Sequence, residues 1–398
     1  MMVQRLLDLK KLLGKEGSSF LFGARGTGKT HLAGALALQR APVLQIDLLD
    51  PKSFLRYLNH PEMLREEVHA AWEEAGKKTL FVLIDEVQKA PALLDVVHAL
   101  FNENPKRVQF LLTGSSARKL KRGGANLLAG RAYVAHLHPL THREVRLDLS
   151  KALQFGTLPG LYLSEAKPEA WLDAYVGTYL KEEIQQEALV RKLDSFTRFL
   201  EFAAQAHGEP VNFSKMARQG IASVPTIQEY FSILVDTLIA FRLDGWSASV
   251  RRQLLQAPKY YFFDCGVLNA LRGELRTEAR ASSFRYGRLF ETWVILEMIR
   301  LNDYADTGYR FAYWRTNTGL EVDVIMYRNV LDSPIAVEIK SGDSPAEQDL
   351  KSLFAFHKEN PKAKLYCFCQ APRPRLVRGV HILPWHEGLE TLFPSPRK

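Results

Sequence analysis

Residues 23–30 read Gly23-Ala24-Arg25-Gly26-Thr27-Gly28-Lys29-Thr30, and this stretch decides the fold of the first third of the chain. The spacing is that of a P-loop, a phosphate-binding turn. Gly23, Gly26 and Gly28 let the backbone close around a phosphate chain, because a Cβ there would hold the N–H groups too far away. Ala24, Arg25 and Thr27 complete the loop. Lys29 brings a point charge to the β- and γ-phosphates, and the Thr30 hydroxyl is placed to ligate Mg²⁺. Ser18–Phe22 reads as a strand entering the loop and Thr30–Leu38 as the helix leaving it, with its N-terminal dipole toward the phosphates. A glycine-rich turn before a buried helix is the plain alternative, but it does not require strand, loop and helix in this order.

A second motif follows at the spacing the first one predicts. Thr79-Leu80-Phe81-Val82-Leu83-Ile84-Asp85-Glu86 is an apolar run ending in two acids, as in a strand buried on both faces of a parallel sheet. Asp85 is expected to hold the Mg²⁺ shell, usually through water, and Glu86 to orient and polarise an attacking water. Most paired carboxylates are solvated strand ends; beside a complete P-loop that reading gives way. Glu86 needs water as its client, so the pair points to hydrolysis of a nucleoside triphosphate rather than transfer to a small molecule.

Composition is compatible with this and narrows little. The 398 residues suffice for two or three domains, and 46% apolar with 24% charged residues is ordinary for a globular chain. No apolar run approaches the roughly 20 residues of a membrane helix. Leu6–Leu13 reads as an amphipathic helix rather than a signal core, so a cytoplasmic location is expected. Cys265, Cys367 and Cys369 form no metal framework; Cys367-Phe368-Cys369 reads as two strand cysteines facing one side. The net charge of +9 raises the prior for a polyanionic partner such as DNA. It gathers in Arg118-Lys119-Leu120-Lys121-Arg122 and around Arg373, Arg375 and Arg378, stretches that either face phosphates or are simply solvated.

Pro42–Asp47 reads as a further buried strand, Leu93–Phe101 as a helix and Arg107–Ser116 as a strand ending in hydroxyls. The alternation predicts an α/β fold, a doubly wound parallel sheet with its ligand at the carboxyl ends of the strands. At this point the pattern resembles the AAA+ ATPases. The resemblance implies ATP and Mg²⁺ as cofactors and a γ-phosphate sensor after this strand, with Thr113 and Ser115 as the matching candidates. It also implies that Arg131, at a helix-to-strand junction, acts as an arginine finger on a neighbouring subunit in a homo-oligomer. A surface arginine favoured by a helix C-terminus is the competing reading.

Helical patterns dominate from Trp171 to about Leu243. Asn212–Ile221 and Pro225–Phe231 look like two helices around a tight turn, with Ser214 and Thr226 as caps and a strand pair from Ala240 to Trp246 as a wing. The second helix offers Gln228 and Glu229 but no arginine, which favours a packing role over major-groove reading. Further on, Glu291 sits on a helical run, Asp323 in Leu320–Met326, and Glu338 and Lys340 in Ile335–Ser341. This order is similar to the PD-(D/E)XK nuclease core. The resemblance implies a second Mg²⁺ or Mn²⁺ held by Glu291, Asp323 and Glu338, with Lys340 activating water or balancing charge. The chain as a whole resembles prokaryotic AAA+ ATPases with a winged-helix-like linker and a PD-(D/E)XK-type domain. The expected domains are 1–145, 146–256 and 257–398. Two functions are expected: an ATPase coupled to a metal-dependent DNA nuclease, or a nucleotide-controlled switch with a non-cleaving partner-binding module.

Overall fold

The computed structural model describes residues 3–9, 13, 18–76, 78–116, 132–180, 193–247, 256–329 and 332–395. Arg131 and the basic run from Arg118 to Arg122 lie outside these residues.

Five strands, β1 (Ser18–Phe22), β2 (Val43–Asp47), β3 (Leu80–Asp85), β4 (Val108–Gly114) and β5 (Ala132–His136), form a parallel sheet in the order β2-β3-β4-β1-β5. The apolar runs of β1 and β3 are buried along their whole length, as strands covered on both faces must be. Phe20, Phe22, Val82 and Ile84 pack on one face with Trp72 of α2 (Met63–Ala75) and Val97 and Leu100 of α3 (Leu93–Glu103). Leu21, Leu83 and Leu111 pack on the other with Ala33 and Leu36 of α1 (Lys29–Ala37). Each Val, Leu, Ile or Phe among them contributes about 1.5–3 kcal/mol on burial. The doubly wound α/β expectation is therefore met. β2 differs from its expectation as a buried strand: it is the sheet edge, and only Ile46 is buried. β4 separates β1 from β3, which sets Thr113 between the P-loop and Asp85.

The expected helix from Leu6 to Leu13 also needs correction. Leu9 and Leu13 are helical and buried, but residues 3–8 are not helical. The Leu6 N–H donates to the Glu144 carboxylate at 2.7 Å.

In the middle of the chain, a helix over Leu193–Gln205 precedes α4 (Phe213–Arg218) and α5 (Val224–Asp236). The caps are Asn212, accepting from Lys215 N–H, and Ser223, accepting from Thr226 N–H, rather than Ser214 and Thr226. Both caps sit in extended backbone from which a short side chain reaches the third helical amide. The segment expected as a strand pair is one strand, β6 (Ala240–Gly245). It pairs antiparallel with β7 (Lys259–Phe262) and parallel with β8 (Arg310–Arg315). The boundary expected after residue 256 thus falls between two paired strands.

The second sheet runs β12-β13-β11-β10-β9-β8-β6-β7, with β9 (Glu321–Tyr327), β10 (Ile335–Ile339), β11 (Lys364–Cys369), β12 (Arg375–Val377) and β13 (Val380–Pro384). β8, β9 and β10 are antiparallel in turn, and β10 and β11 are parallel, joined by α7 (Lys351–Glu359). Before them comes α6 (Phe284–Ala305), 22 residues with a continuous buried stretch from Thr292 to Asn302. Cys265, Cys367 and Cys369 are free and buried. One core cluster joins the middle helices, β6, β7 and α6, and reaches Ala24 of the P-loop. Among the described residues, no helix is long and apolar enough to cross a membrane.

Candidate functional site

The loop from Gly23 to Gly28 is shaped by backbone that side chains other than glycine resist. Gly26 and Gly28 have φ of 83° and 93°, where an L-residue is strained. At Gly23 a Cβ would meet the Leu137 carbonyl oxygen at 2.4 Å. Lys29 Nζ donates to Gly23 O at 2.8 Å and Ala24 O at 3.3 Å, so its charge is centred in the loop. Thr27 Oγ1 donates to Ala24 O at 2.8 Å. Arg25 and Thr30 are exposed at the loop's mouth. From Gly28, its N-cap, the backbone enters α1, and the first amides of a helix have no partners within it.

Asp85 ends β3 at 4% exposure. Its Oδ1 accepts from the Thr113 hydroxyl. Its Oδ2 is buried and, among the described residues, has no hydrogen-bond partner. An anionic oxygen left without a donor is costly unless a cation or its water shell meets it. The residues therefore fit a Mg²⁺ site, with the Thr30 hydroxyl as the second protein oxygen. Glu86 follows with φ of 59°, an unusual conformation for a side-chain-bearing residue. Thr113 Oγ1 accepts from the Glu86 N–H at 3.2 Å. The Gln88 amide donates to both Glu86 Oε2 and Ser115 Oγ, the latter at 3.0 Å.

The structure thus brings Gly23–Thr30, Asp85, Glu86, Thr113 and Ser115 to the carboxyl ends of β1, β3 and β4. The two hydroxyls divide their roles, Thr113 holding the acidic pair and Ser115 reaching it through Gln88. The sequence reading missed Gln88, whose placement depends on the short turn at Val87–Lys89. It also missed Arg5, Glu144 and Tyr175. A cavity of about 1580 Å³ opens on the loop, lined by Lys29, Thr30, Glu86, Ser115 and by the segment from Val3 to Leu9.

The C-terminal acids also lie near one another. Glu291 is on α6, Asp323 on β9 and Glu338 on the neighbouring β10. Asp323 Oδ2 accepts from Ile339 N–H at 2.7 Å. Glu338 accepts from Lys340 Nζ at 2.6 Å and from Ser352 Oγ at 2.9 Å. Glu291 accepts from the buried Tyr261 hydroxyl at 3.0 Å. Burial, then the Asp323 charge, pushes the Glu338 carboxyl up to about 8 against the pull of Lys340. The same two causes push Glu291 up to about 7, opposed by Lys259 and Arg288. Yet among the described residues no group of three or more His, Cys, Asp or Glu is arranged to hold a metal ion. Of the expected Glu291–Asp323–Glu338 set, Glu291 Oε1, Asp323 Oδ2 and both Glu338 oxygens accept from protein donors.

Residues 15–146 match the family model of an AAA domain. Residues 146–278 and 286–387 match two models described as domains of unknown function (DUF8612 and DUF4143). An uncharacterized protein of Mycobacterium tuberculosis is 27% identical over 341 residues, 85% of this chain and 73% of its own length. One of Haemophilus influenzae is 23% identical over 342 residues, covering 77% of this chain and 81% of its own. Among solved structures, C. elegans PCH-2 aligns over 57% of this chain at 16% identity and a TM-score of 0.27, spanning 63% of that chain, under two thirds. Motif and sheet give the N-terminal segment a P-loop α/β fold, and its residues 15–146 are the ones that match the AAA domain model.

Proposed function

We propose that the protein binds ATP with Mg²⁺ at residues 23–30 and hydrolyses it, and that this cycle controls the C-terminal domain. The observation that carries the reading is the buried Oδ2 of Asp85, which among the described residues has no hydrogen-bond partner, on a strand two places from β1, which leads into the P-loop and Lys29. Mg²⁺, when bound, offsets charge on the β- and γ-phosphate oxygens, with Thr30 and Asp85 to hold it. Lys29 and the loop amides orient the phosphates. Glu86, fixed through its backbone by Thr113 and its carboxylate by Gln88, accepts the proton of the water that attacks the γ-phosphorus. The bond to the bridging oxygen breaks, releasing ADP and phosphate. Arg131, outside the described residues, acts in this reading as the arginine finger of a homo-oligomer.

The order of acids on α6, β9 and β10, with Lys340 beside Glu338, supports a nuclease-like C-terminal core acting on DNA. One observation favours the second reading, a switch whose C-terminal domain binds a partner without cutting: both oxygens of Glu338 are already held by Lys340 and Ser352.

The test is ATP turnover beside cleavage of supercoiled and single-stranded DNA with Mg²⁺ or Mn²⁺, for wild type, Lys29→Ala, Glu86→Gln and Glu338→Ala. Lys29→Ala should lose ATP binding, and Glu86→Gln should bind ATP but turn it over at least 100-fold more slowly. Unchanged turnover in both sinks the ATPase. DNA cleavage that disappears in Glu338→Ala establishes the nuclease; ATP turnover without cleavage establishes the switch.

A further inference from the structure

A phosphate loop can aim its N–H groups inward only if its carbonyls face outward, and each outward carbonyl needs a donor of its own. Here two carbonyls turn to Lys29 at the loop centre and two take donors from beyond the loop. Gly23 O and Ala24 O take Lys29, with Thr27 Oγ1 also on Ala24 O. Arg25 O takes the Tyr175 hydroxyl at 2.8 Å, and Thr27 O takes Arg5 Nη1 at 2.8 Å. The last two donors lie outside residues 15–146, the stretch matched to the AAA domain.

Each outside donor is anchored to a different part of the molecule. The Arg5 side chain is 8% exposed and paired with the fully buried Glu144 at 2.9 Å. Its second terminal nitrogen donates to His138 O at 2.6 Å and to the Tyr304 oxygen at 3.3 Å. Tyr304 Oη also accepts from His138 N–H at 3.0 Å, and the adjacent Asp303 pairs with His138 Nε2 at 2.7 Å. Tyr304 and Asp303 sit at the C-terminal end of α6, the helix that carries Glu291 about 20 Å away at 1.5 Å per residue. Tyr175 stacks on Trp171 at 5.4 Å in the middle helices, and its ring lies 3.6 Å from where a Gly26 Cβ would stand.

We propose that Arg5 and Tyr175 are positioning residues that set the shape of the P-loop from outside the AAA domain. Nucleotide occupancy is thereby coupled to α6, through Arg5 and Tyr304, and to the middle helices, through Tyr175. The inference rests on the reading of residues 23–30 as an ATP site. A tie that only stabilised the fold could end anywhere on the domain surface. Both of these end on carbonyls inside the phosphate loop, where a ligand that draws the amides inward must also move or stiffen the carbonyls. Coupling of this kind is reciprocal: what ATP does to α6, the docking of α6 does to ATP affinity.

The test uses full-length protein. Arg5→Ala would leave the buried Glu144 charge unpaired and is expected to destabilise the fold. Tyr175→Phe and Tyr304→Phe each remove one hydroxyl and keep the ring, so they carry the experiment. Each should raise KM for ATP about two- to tenfold, the range of one net hydrogen bond, with kcat held within about twofold. ATP with Mg²⁺ should slow amide hydrogen exchange at residues 296–305 of the wild type, and Tyr304→Phe should lose that protection while still binding ATP. A merely structural hydroxyl would lower thermal stability without altering the ATP-dependent difference. Wild-type KM and wild-type protection in both variants overturn the coupling while leaving the ATPase intact. Absence of ATP binding in the wild type itself overturns the site reading, and the coupling with it.

Discussion

At the scale of single residues, Thr113 carries more than its sequence position suggests. Its hydroxyl donates to Asp85 and accepts from the Glu86 N–H, so one side chain fixes both members of the acidic pair. Thr113→Val keeps the shape, yet strands a buried carboxylate oxygen and an amide. The variant should lose about 1–3 kcal/mol of stability in urea unfolding, and kcat should fall more than KM rises; full kcat would remove Thr113 from the site. Glu338 makes a second prediction, through pH. Its carboxyl is raised by burial and Asp323 to about 8, so between its ordinary range and that value the folded state binds more protons than the unfolded one. Its contribution to stability is present at low pH and is lost as pH rises through about 8. Melting followed in EDTA from pH 5 to 9 should show a decline that Glu338→Gln flattens; parallel curves would refute the shift. These residues were partly legible in the sequence. Gly23–Thr30, Asp85 and Glu86 announce themselves because phosphate chemistry fixes both type and spacing. Gln88 and Arg5 do not, because their roles depend on which distant atom they meet, such as Glu144, 139 positions from Arg5.

Elements show the same division for a different reason. Continuous apolar runs gave β1 and β3 correctly, since strands covered on both faces have no alternative pattern. β2 reads as apolar too, but its place at the edge comes from which strands pair, and pairing leaves no local mark. β6 read as half of a wing because its partners, Phe262 of β7 and Ala312 of β8, come later in the chain. Close approach of backbones is equally invisible. The helix over Cys265–Leu271 starts with Asp264 accepting from Gly266 and Val267 N–H and from Thr157 N–H. Its Gly266 lies so close to the chain at 155–156 that a Cβ would stand 2.2 Å from Phe155 O. Gly266→Ala should therefore cost about 1–3 kcal/mol or more, because backbone rather than a flexible side chain must give way. A melting temperature within a degree of wild type would mean that the two elements separate freely.

For the molecule as a whole, the question is whether nucleotide in one core is felt in another. The sheet of β1–β5 has cores on its two faces, built from its own strands and helices together with residues of the N-terminal arm. The middle helices, β6, β7 and α6 share a third that includes Ala24 of the P-loop. Polar ties also cross the divide. Besides Arg5 and Tyr175, His142 N–H donates to Glu297 of α6 at 3.0 Å, and Arg300 of α6 donates to Leu140 O at 3.2 Å. All of these bonds are buried or part-buried, so breaking them on separation would strand charges that need partners. A ligand that binds only the folded P-loop domain stabilises it by about 2.7 kcal/mol at 100 times its dissociation constant. If the ties transmit, ATP with Mg²⁺ should raise the unfolding of both units together. Fluorescence and near-ultraviolet dichroism from Trp293 and Trp314, which lie in the C-terminal half, should then shift with the tryptophan-poor AAA domain, and Lys29→Ala should abolish both shifts. A C-terminal transition that stays in place while the AAA domain moves would make the two halves thermodynamically independent and confine the effect of nucleotide to its own sheet.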